Sequence, residues 1–432
     1  MNTSTKKGKG LGEYMPLAFA AGIGSMLGSG IIVGLSATIV VWQEGLGLDT
    51  TQVGLLSGIL TFAIAFGSLF GGRLADKIGR VLFFNWINLF YAIGAAICVF
   101  VPNFTVLLIG LIIAGLASGA DLPVSMTIVS HDAPDEATAA QLVSTTQVFW
   151  QVGVFISFIC AFLVSAMQGA TGGRVVFAIL TVFAVIAWLW RLLSPTFRRF
   201  HEAADVRDAA RPAAVGNGKV SVTKVLFGAD KKVLLTYFLA IVIFYVGWNL
   251  LANTWGQFQT YMFSKAGAAQ SLATGLGIIL NFVTLVLNIV FASIAGGKYR
   301  NKAFFAGIVI SLIAMAAMAM GGADLWVIVG ATAFMNLGSP LAGEALYKVW
   351  TQESFPIEIR ASIQGFINGF SRLCCGLFAL ITPALVLPET IQTTMWCFFG
   401  IVIIEGIAGT IMIRAQKKYG TDEERQAHKI AA

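Results

Sequence analysis

The stretch GGRLADKIGR, residues 71–80, sets three cations and one acid between two apolar runs, 52–72 and 82–101. Each run supplies the roughly 20 apolar residues that a helix needs to cross a hydrocarbon core, so the charged decapeptide reads as a turn at a membrane surface. Working outward in both directions gives ten further segments: 14–42, 105–130, 141–166, 172–193, 232–262, 267–295, 303–320, 324–350, 361–386 and 392–414. Composition agrees. Of 432 residues, 57% are hydrophobic and 11% charged, with a mean hydropathy of +0.82, against about 25% charged in a soluble domain. The expected solvent of this chain is a lipid bilayer.

The twelve segments form two sets of six, residues 1–193 and 232–414, separated by a polar linker rich in Arg and Lys at 194–231 and followed by a tail at 415–432. The first segment is long and glycine-rich and lacks a small-residue cleavage pattern, so it reads as part of the mature chain and not as a signal peptide. Alternating the connections puts Lys6, Lys7, Lys9, Arg73, Lys77, Arg80, the linker, Lys298, Arg300, Lys302, Arg360, Arg414, Lys417 and Lys418 on one side. The other side carries little beyond Arg174 and Lys265. The positive-inside rule then places both termini in the cytoplasm. The acidic connection HDAPDEATAA (131–140) does not overturn this, because acids contribute little to the rule. The tail reads as a solvated segment.

Enzymatic chemistry finds no footing. The five cysteines, Cys98, Cys160, Cys374, Cys375 and Cys397, lie in apolar runs without ligand spacing and read as free thiols. His131, His201 and His428 are scattered, and no metalloprotease motif, catalytic triad or phosphate loop can be assembled. No metal and no cofactor is expected. The formal charge of +7 serves topology, and no nucleic-acid partner is implied.

Within 71–80, Gly72, Asp76, Lys77, Gly79 and Arg80 match a Gly-x-x-x-Asp-Arg/Lys-x-Gly-Arg pattern. In this the chain resembles the major facilitator superfamily, which carries the motif between its second and third helices. The resemblance implies an all-α membrane protein of twelve transmembrane helices in two six-helix halves that transports by alternating access. It also implies a conformational-switch role for these five residues, with Gly72 at a close helix approach and Asp76 in a charge network. The equivalent turn of the second half, GGKYRNK (296–302), lacks the acid.

Within the superfamily the chain resembles the sugar porters and related bacterial metabolite symporters, inositol and polyol transporters included. GLASGADLPVS (115–125), RLLSPTFRRF (191–200), ESFPIEIRA (353–361) and Gln147 carry that likeness. It implies uptake of a sugar or polyol across an inner membrane, with a proton as coupling ion and a monomer as the default. There are departures. Leu107 stands where sugar porters have an arginine in helix four, His131 near their fourth cytoplasmic turn, and Gly30 near the aspartate of helix one. The usual coupling acid is missing, so coupling uses another residue or is absent.

Polar residues inside the apolar runs supply the site candidates. Asn249, Asn253 and Gln257 recur every four residues and stay within about 80° of one helical face. An unsatisfied amide in lipid costs several kcal/mol, so these face a ligand or another helix. Amides suit a polyhydroxyl ligand because each offers donor and acceptor. Trp248 and Trp255 add flat apolar faces; each reads equally as a packing or an interfacial residue, Trp255 the more readily as interfacial. Asn368 and Arg372 form a second stripe with Gln364; Gln147 and Gln151 form a set in the first half; Asn281 pairs with Asn288 on helix eight. For proton coupling the candidates are Glu344, one turn from Lys348, then Asp121 and Glu405. Two alternatives stay open: an anionic substrate such as a sugar acid, met by Arg372 and Lys348, and a membrane sugar sensor that binds without transporting.

Overall fold

In hydrocarbon a backbone amide finds no partner but its own chain, and uncharged runs of Leu, Ile, Val, Ala and Phe satisfy that demand as helices. The computed structural model describes residues 13–133, 136–209, 222–228, 230–294, 299–422 and 424–425. Its helices are α1 (Met15–Leu46), α2 (Thr50–Ile78), α3 (Arg80–Val99), α4 (Phe104–Asp132), α5 (Glu136–Leu163), α6 (Thr171–Leu193), α7 (Pro195–Ala209), α8 (Val222–Leu226), α9 (Lys231–Lys265), α10 (Gln270–Ile294), α11 (Arg300–Gly321), α12 (Leu325–Gly338), α13 (Glu344–Ser354), α14 (Ile357–Leu385) and α15 (Ile391–Tyr419). No strand occurs among the described residues. Among the described residues, ten helices carry a stretch long and apolar enough to cross a membrane; Val148–Leu163 and Leu325–Gly338 are shorter apolar helices. Large apolar side chains such as Phe90, Ile289 and Phe366 stand exposed, as lipid-facing residues do.

One expectation needs correction. The segment 324–350 is not one helix: α12 stops at Gly338 and the chain restarts as α13 at Glu344. Within the polar linker the chain forms α7 and α8.

The chain divides into two compact units, Met1–Leu35 with Phe62–Gly216, and Ser36–Thr61 with Asn217–Ala432. The tip of the α1–α2 hairpin therefore groups with the second unit.

In the first unit α3 packs along α4 and α6. Gly94 makes the α3–α4 approach possible, since a Cβ there would lie 2.4 Å from Ala114 N. Asn103 starts α4 by accepting from Val106 N–H at 3.1 Å. Pro123 inside α4 has no N–H to give the carbonyl four residues earlier, that of Gly119. Ser68 of α2 donates to that oxygen at 2.9 Å and removes the deficit. Helix α7 docks where His201 Nδ1 meets Asp132 at the end of α4.

In the second unit α9 lies against α14 and α15, and α11 against α12 and α15. Gly307 repeats the role of Gly94, with a Cβ there falling 2.8 Å from Gly338 O. Asp324 caps α12 by accepting from Trp326 N–H and Val327 N–H at 2.9 and 3.0 Å. The hairpin tip is held by Gln270, which donates to Ala37 O at 2.6 Å. The start of the tail is anchored, against the expectation of a solvated segment. Arg425 donates to Ser354 O at 2.8 Å and lies over the Tyr237 ring, and Tyr237 Oη donates to Gly420 O at 2.8 Å.

Candidate functional site

The turn at 71–80 owes its shape to Gly79, whose φ of 101° is open to glycine and strained for other residues. It ends α2 and starts α3. Lys77, Gly79 and Arg80 are exposed; the side chains of Arg73 and Asp76 lie outside the described residues. The close approach expected at Gly72 occurs one residue earlier. A Cβ on Gly72 would meet nothing within 4 Å, whereas one on Gly71 would lie 2.6 Å from Ala120 Cα.

The second unit brings Trp248, Asn249, Glu344, Asn368 and Arg372 into one array beside the break between α12 and α13. Tyr245 of α9 stacks on Tyr347 of α13 at 3.9 Å between ring centroids and on Trp248 at 5.7 Å. The Trp248 indole N–H reaches into the break, to Ser339 O at 3.2 Å and Ser339 Oγ at 3.0 Å. Beside this stack a chain of hydrogen bonds joins α9 to α14. Asn249 Nδ2 donates to Ser371 Oγ at 2.9 Å, and Ser371 Oγ donates to Asn368 O at 2.8 Å. Arg372 Nε donates to Asn368 Oδ1 at 3.0 Å. Glu344, the first residue of α13, pairs with Lys348 at 2.9 Å across one helical turn. Trp248, Asn249, Glu344, Lys348, Asn368 and Arg372 are each half-buried. Sequence spacing found the amides, the arginine and the ion pair. It missed Ser339 and Ser371, whose small hydroxyls carry no periodic signal.

Further along α9 the stripe turns to packing. Gln257 is buried and donates to Thr61 Oγ1 at 2.9 Å and to Asn253 Oδ1 at 2.7 Å. Trp255 takes the packing alternative: it is buried, with its indole N–H on Thr332 Oγ1 at 3.3 Å and its ring beside Phe398. Asn281 donates to Gly277 O of its own helix at 2.9 Å, and Asn288 is exposed, so they make no joint packing contact. Asn336, which sequence reading passed over, ties α12 to Leu280 O of α10 at 3.1 Å.

In the first unit Gln151 is half-buried, and the side chain of Gln147 lies outside the described residues. Asp121 is sealed against Arg191: Nη1 to Oδ1 is 2.6 Å and Nη2 to Oδ2 is 3.1 Å, both side chains being almost wholly buried. Arg191 stood in the motif after helix six but was not paired with Asp121 by sequence reading, because 70 residues separate them. Glu405 of α15 is buried against α9 at Gly247 and has no ion pair among the described residues. All five cysteines are free, and no group of three metal-ligating side chains occurs among the described residues.

The profile of the Major Facilitator Superfamily matches residues 17–379. The minor myo-inositol transporter IolF of Bacillus subtilis strain 168 is 29% identical over 405 residues, which is 91% of this chain and 89% of that protein. The niacin transporter NiaP of Acinetobacter baylyi is 32% identical over 154 residues, covering 35% and 34% of the two chains. Among solved structures, a D-xylose-proton symporter superposes with a TM-score of 0.74 at 14% identity, over 91% of this chain and 96% of the other.

Proposed function

The chain belongs to the Major Facilitator Superfamily, and on that premise we propose that it imports an inositol-like sugar or polyol across the inner membrane by alternating access, coupled to protons. It is a multi-pass membrane transporter and not an enzyme. On this reading it sits with both termini in the cytoplasm and works as a monomer.

One observation carries the substrate reading: the half-buried array of Asn249, Ser371 and Asn368 beside the Trp248–Tyr245–Tyr347 stack. Amides and hydroxyls that both donate and accept suit a ligand whose hydroxyls do the same. Stacked rings give its C–H edges an apolar surface. The myo-inositol transporter among the relatives supports the same class.

Uptake of labelled myo-inositol and a panel of sugars and polyols into liposomes holding the purified chain tests the proposal. Asn249→Ala removes the donor to Ser371 and is expected to weaken apparent affinity about tenfold, as losing roughly 1.4 kcal/mol of ligand hydrogen bonding would. Transport of none of these compounds would overturn the reading.

For the proton, Glu344 has the best-placed carboxylate, because protonation would release Lys348 within the polar array. Asp121 is committed to Arg191, and Glu405 lies apart from the array. Glu344→Gln is therefore expected to abolish accumulation driven by a pH gradient while leaving substrate counterflow measurable. Unchanged gradient-driven accumulation in Glu344→Gln would remove this residue from the coupling step.

A further inference from the structure

We propose that the substrate carries a carboxylate beside its hydroxyls, and that the two terminal nitrogens of Arg372 bind it as a fork. This rests on the polyol-type site proposed above and names the substrate class more narrowly, as a polyhydroxylated monocarboxylate such as an aldonate or uronate.

Charge in the α13–α14 array does not balance. Two cations, Lys348 and Arg372, face one carboxylate, Glu344. Lys348 is paired with Glu344 at 2.9 Å, so it can meet an anion only when that pair opens. Arg372 is different. Its Nε donates to Asn368 Oδ1 at 3.0 Å, and that bond fixes the plane of the guanidinium. Among the described residues, Nη1 and Nη2 have no hydrogen-bond acceptor and no carboxylate in ion-pair range. The opposite arrangement occurs at Arg191, where both terminal nitrogens meet Asp121 and backbone carbonyls.

A guanidinium held by Nε with its terminal pair uncommitted presents two parallel N–H donors, the geometry that matches a carboxylate in bidentate fashion. A cation inside a membrane-spanning segment is costly unless something compensates it, so an uncommitted one marks a place where an anion binds. Asn368 anchors Arg372 and Ser371, and Ser371 anchors Asn249. The carboxylate fork and the hydroxyl-binding amide thus belong to one hydrogen-bonded chain, so one ligand bearing both groups engages them together.

The test uses the purified full-length chain and matched pairs that differ only in the acid: gluconate against sorbitol, and glucuronate against glucose, at constant ionic strength. Binding is read by ligand-induced thermal stabilisation across a concentration series. The acid of a pair is expected to bind about tenfold more tightly than its neutral partner, the scale of one charge-assisted contact. Arg372→Gln should equalise the pair, and Arg372→Lys should keep part of the preference because it retains charge but loses the fork. Neutral polyols binding as well as their acids in the unaltered chain would overturn the inference and leave the polyol reading standing. A preference for the acid that survives Arg372→Gln would overturn it too. Should neither member of either pair bind while myo-inositol does, this inference falls and the polyol reading stands; should myo-inositol fail as well, both fall. The comparison within the unaltered chain decides even if an Arg372 variant does not fold.

Discussion

Arg191→Ala is expected to destabilise the chain by about 3–5 kcal/mol, the cost of leaving a buried charge without its partner. Arg191 donates from Nε and Nη2 to Ala20 O on α1, from Nη1 to Phe84 O on α3, and to both carboxylate oxygens of Asp121 on α4. Ser125 Oγ donates to Asp121 Oδ1 at 2.9 Å, and the guanidinium lies 3.9 Å over the Phe84 ring. One side chain of α6 therefore ties three other helices of its unit, and no water can substitute for it at 1% exposure. Asp121→Ala should cost a similar amount. The double replacement Arg191→Leu with Asp121→Leu should cost less than either single change, because it leaves neither charge behind. Arg198→Ala is the surface control: its i,i+4 pair with Glu202 is exposed, and its melting should match the unaltered chain. Thermal unfolding in detergent, monitored by the monodisperse fraction, reads all four. An Arg191→Ala chain that melts with the Arg198→Ala control would show that the buried pair does not hold this unit together.

The fold was legible in the sequence because its main determinants are local. Runs of apolar residues declare membrane helices by length alone, and eleven of the twelve expected segments correspond to single helices. The twelfth, 324–350, fails for a local reason as well: SPLAG (339–343) lacks charge and stays apolar enough to hide a helix break from a hydropathy reading. Polar positions at four-residue spacing were legible in the same way, so Asn249, Asn368, Arg372 and the Glu344–Lys348 pair emerged without a structure. Partnership across the fold did not. Whether an amide is free for a ligand or committed to a neighbour depends on residues far away in the chain, and Gln257 is bound to Thr61, 196 residues distant. The same blindness hid the pairing of Asp121 with Arg191 and left the anchoring of the tail by Arg425 unseen.

Gly343→Ala is expected to abolish ligand binding while costing about 1–3 kcal/mol of stability, the usual scale of overpacking. Gly343 caps the start of α13, and its carbonyl accepts from Leu346 N–H and Tyr347 N–H at 3.1 and 3.2 Å. A Cβ at this position would lie 2.3 Å from Ser339 O and 2.6 Å from Trp248 Nε1. The first of these is backbone and cannot swing aside, so either the break reshapes or the first turn of α13 moves. Both responses strike the site. Reshaping the break removes the carbonyl and hydroxyl that hold the Trp248 indole N–H. Moving the turn carries Glu344, Tyr347 and Lys348 with it and unstacks Tyr347 from Tyr245. A displacement of about 1 Å is enough, since hydrogen bonds weaken steeply once their distances and angles leave the favourable range. Gly330→Ala on α12 provides the contrast, because a Cβ there would meet nothing within 4 Å, and it should also help α12 slightly through helix propensity. Liposome uptake and thermal unfolding on the two variants separate the outcomes: full transport by Gly330→Ala with none by Gly343→Ala places the binding site at the α12–α13 break, whereas equal transport by both would remove the break from the site.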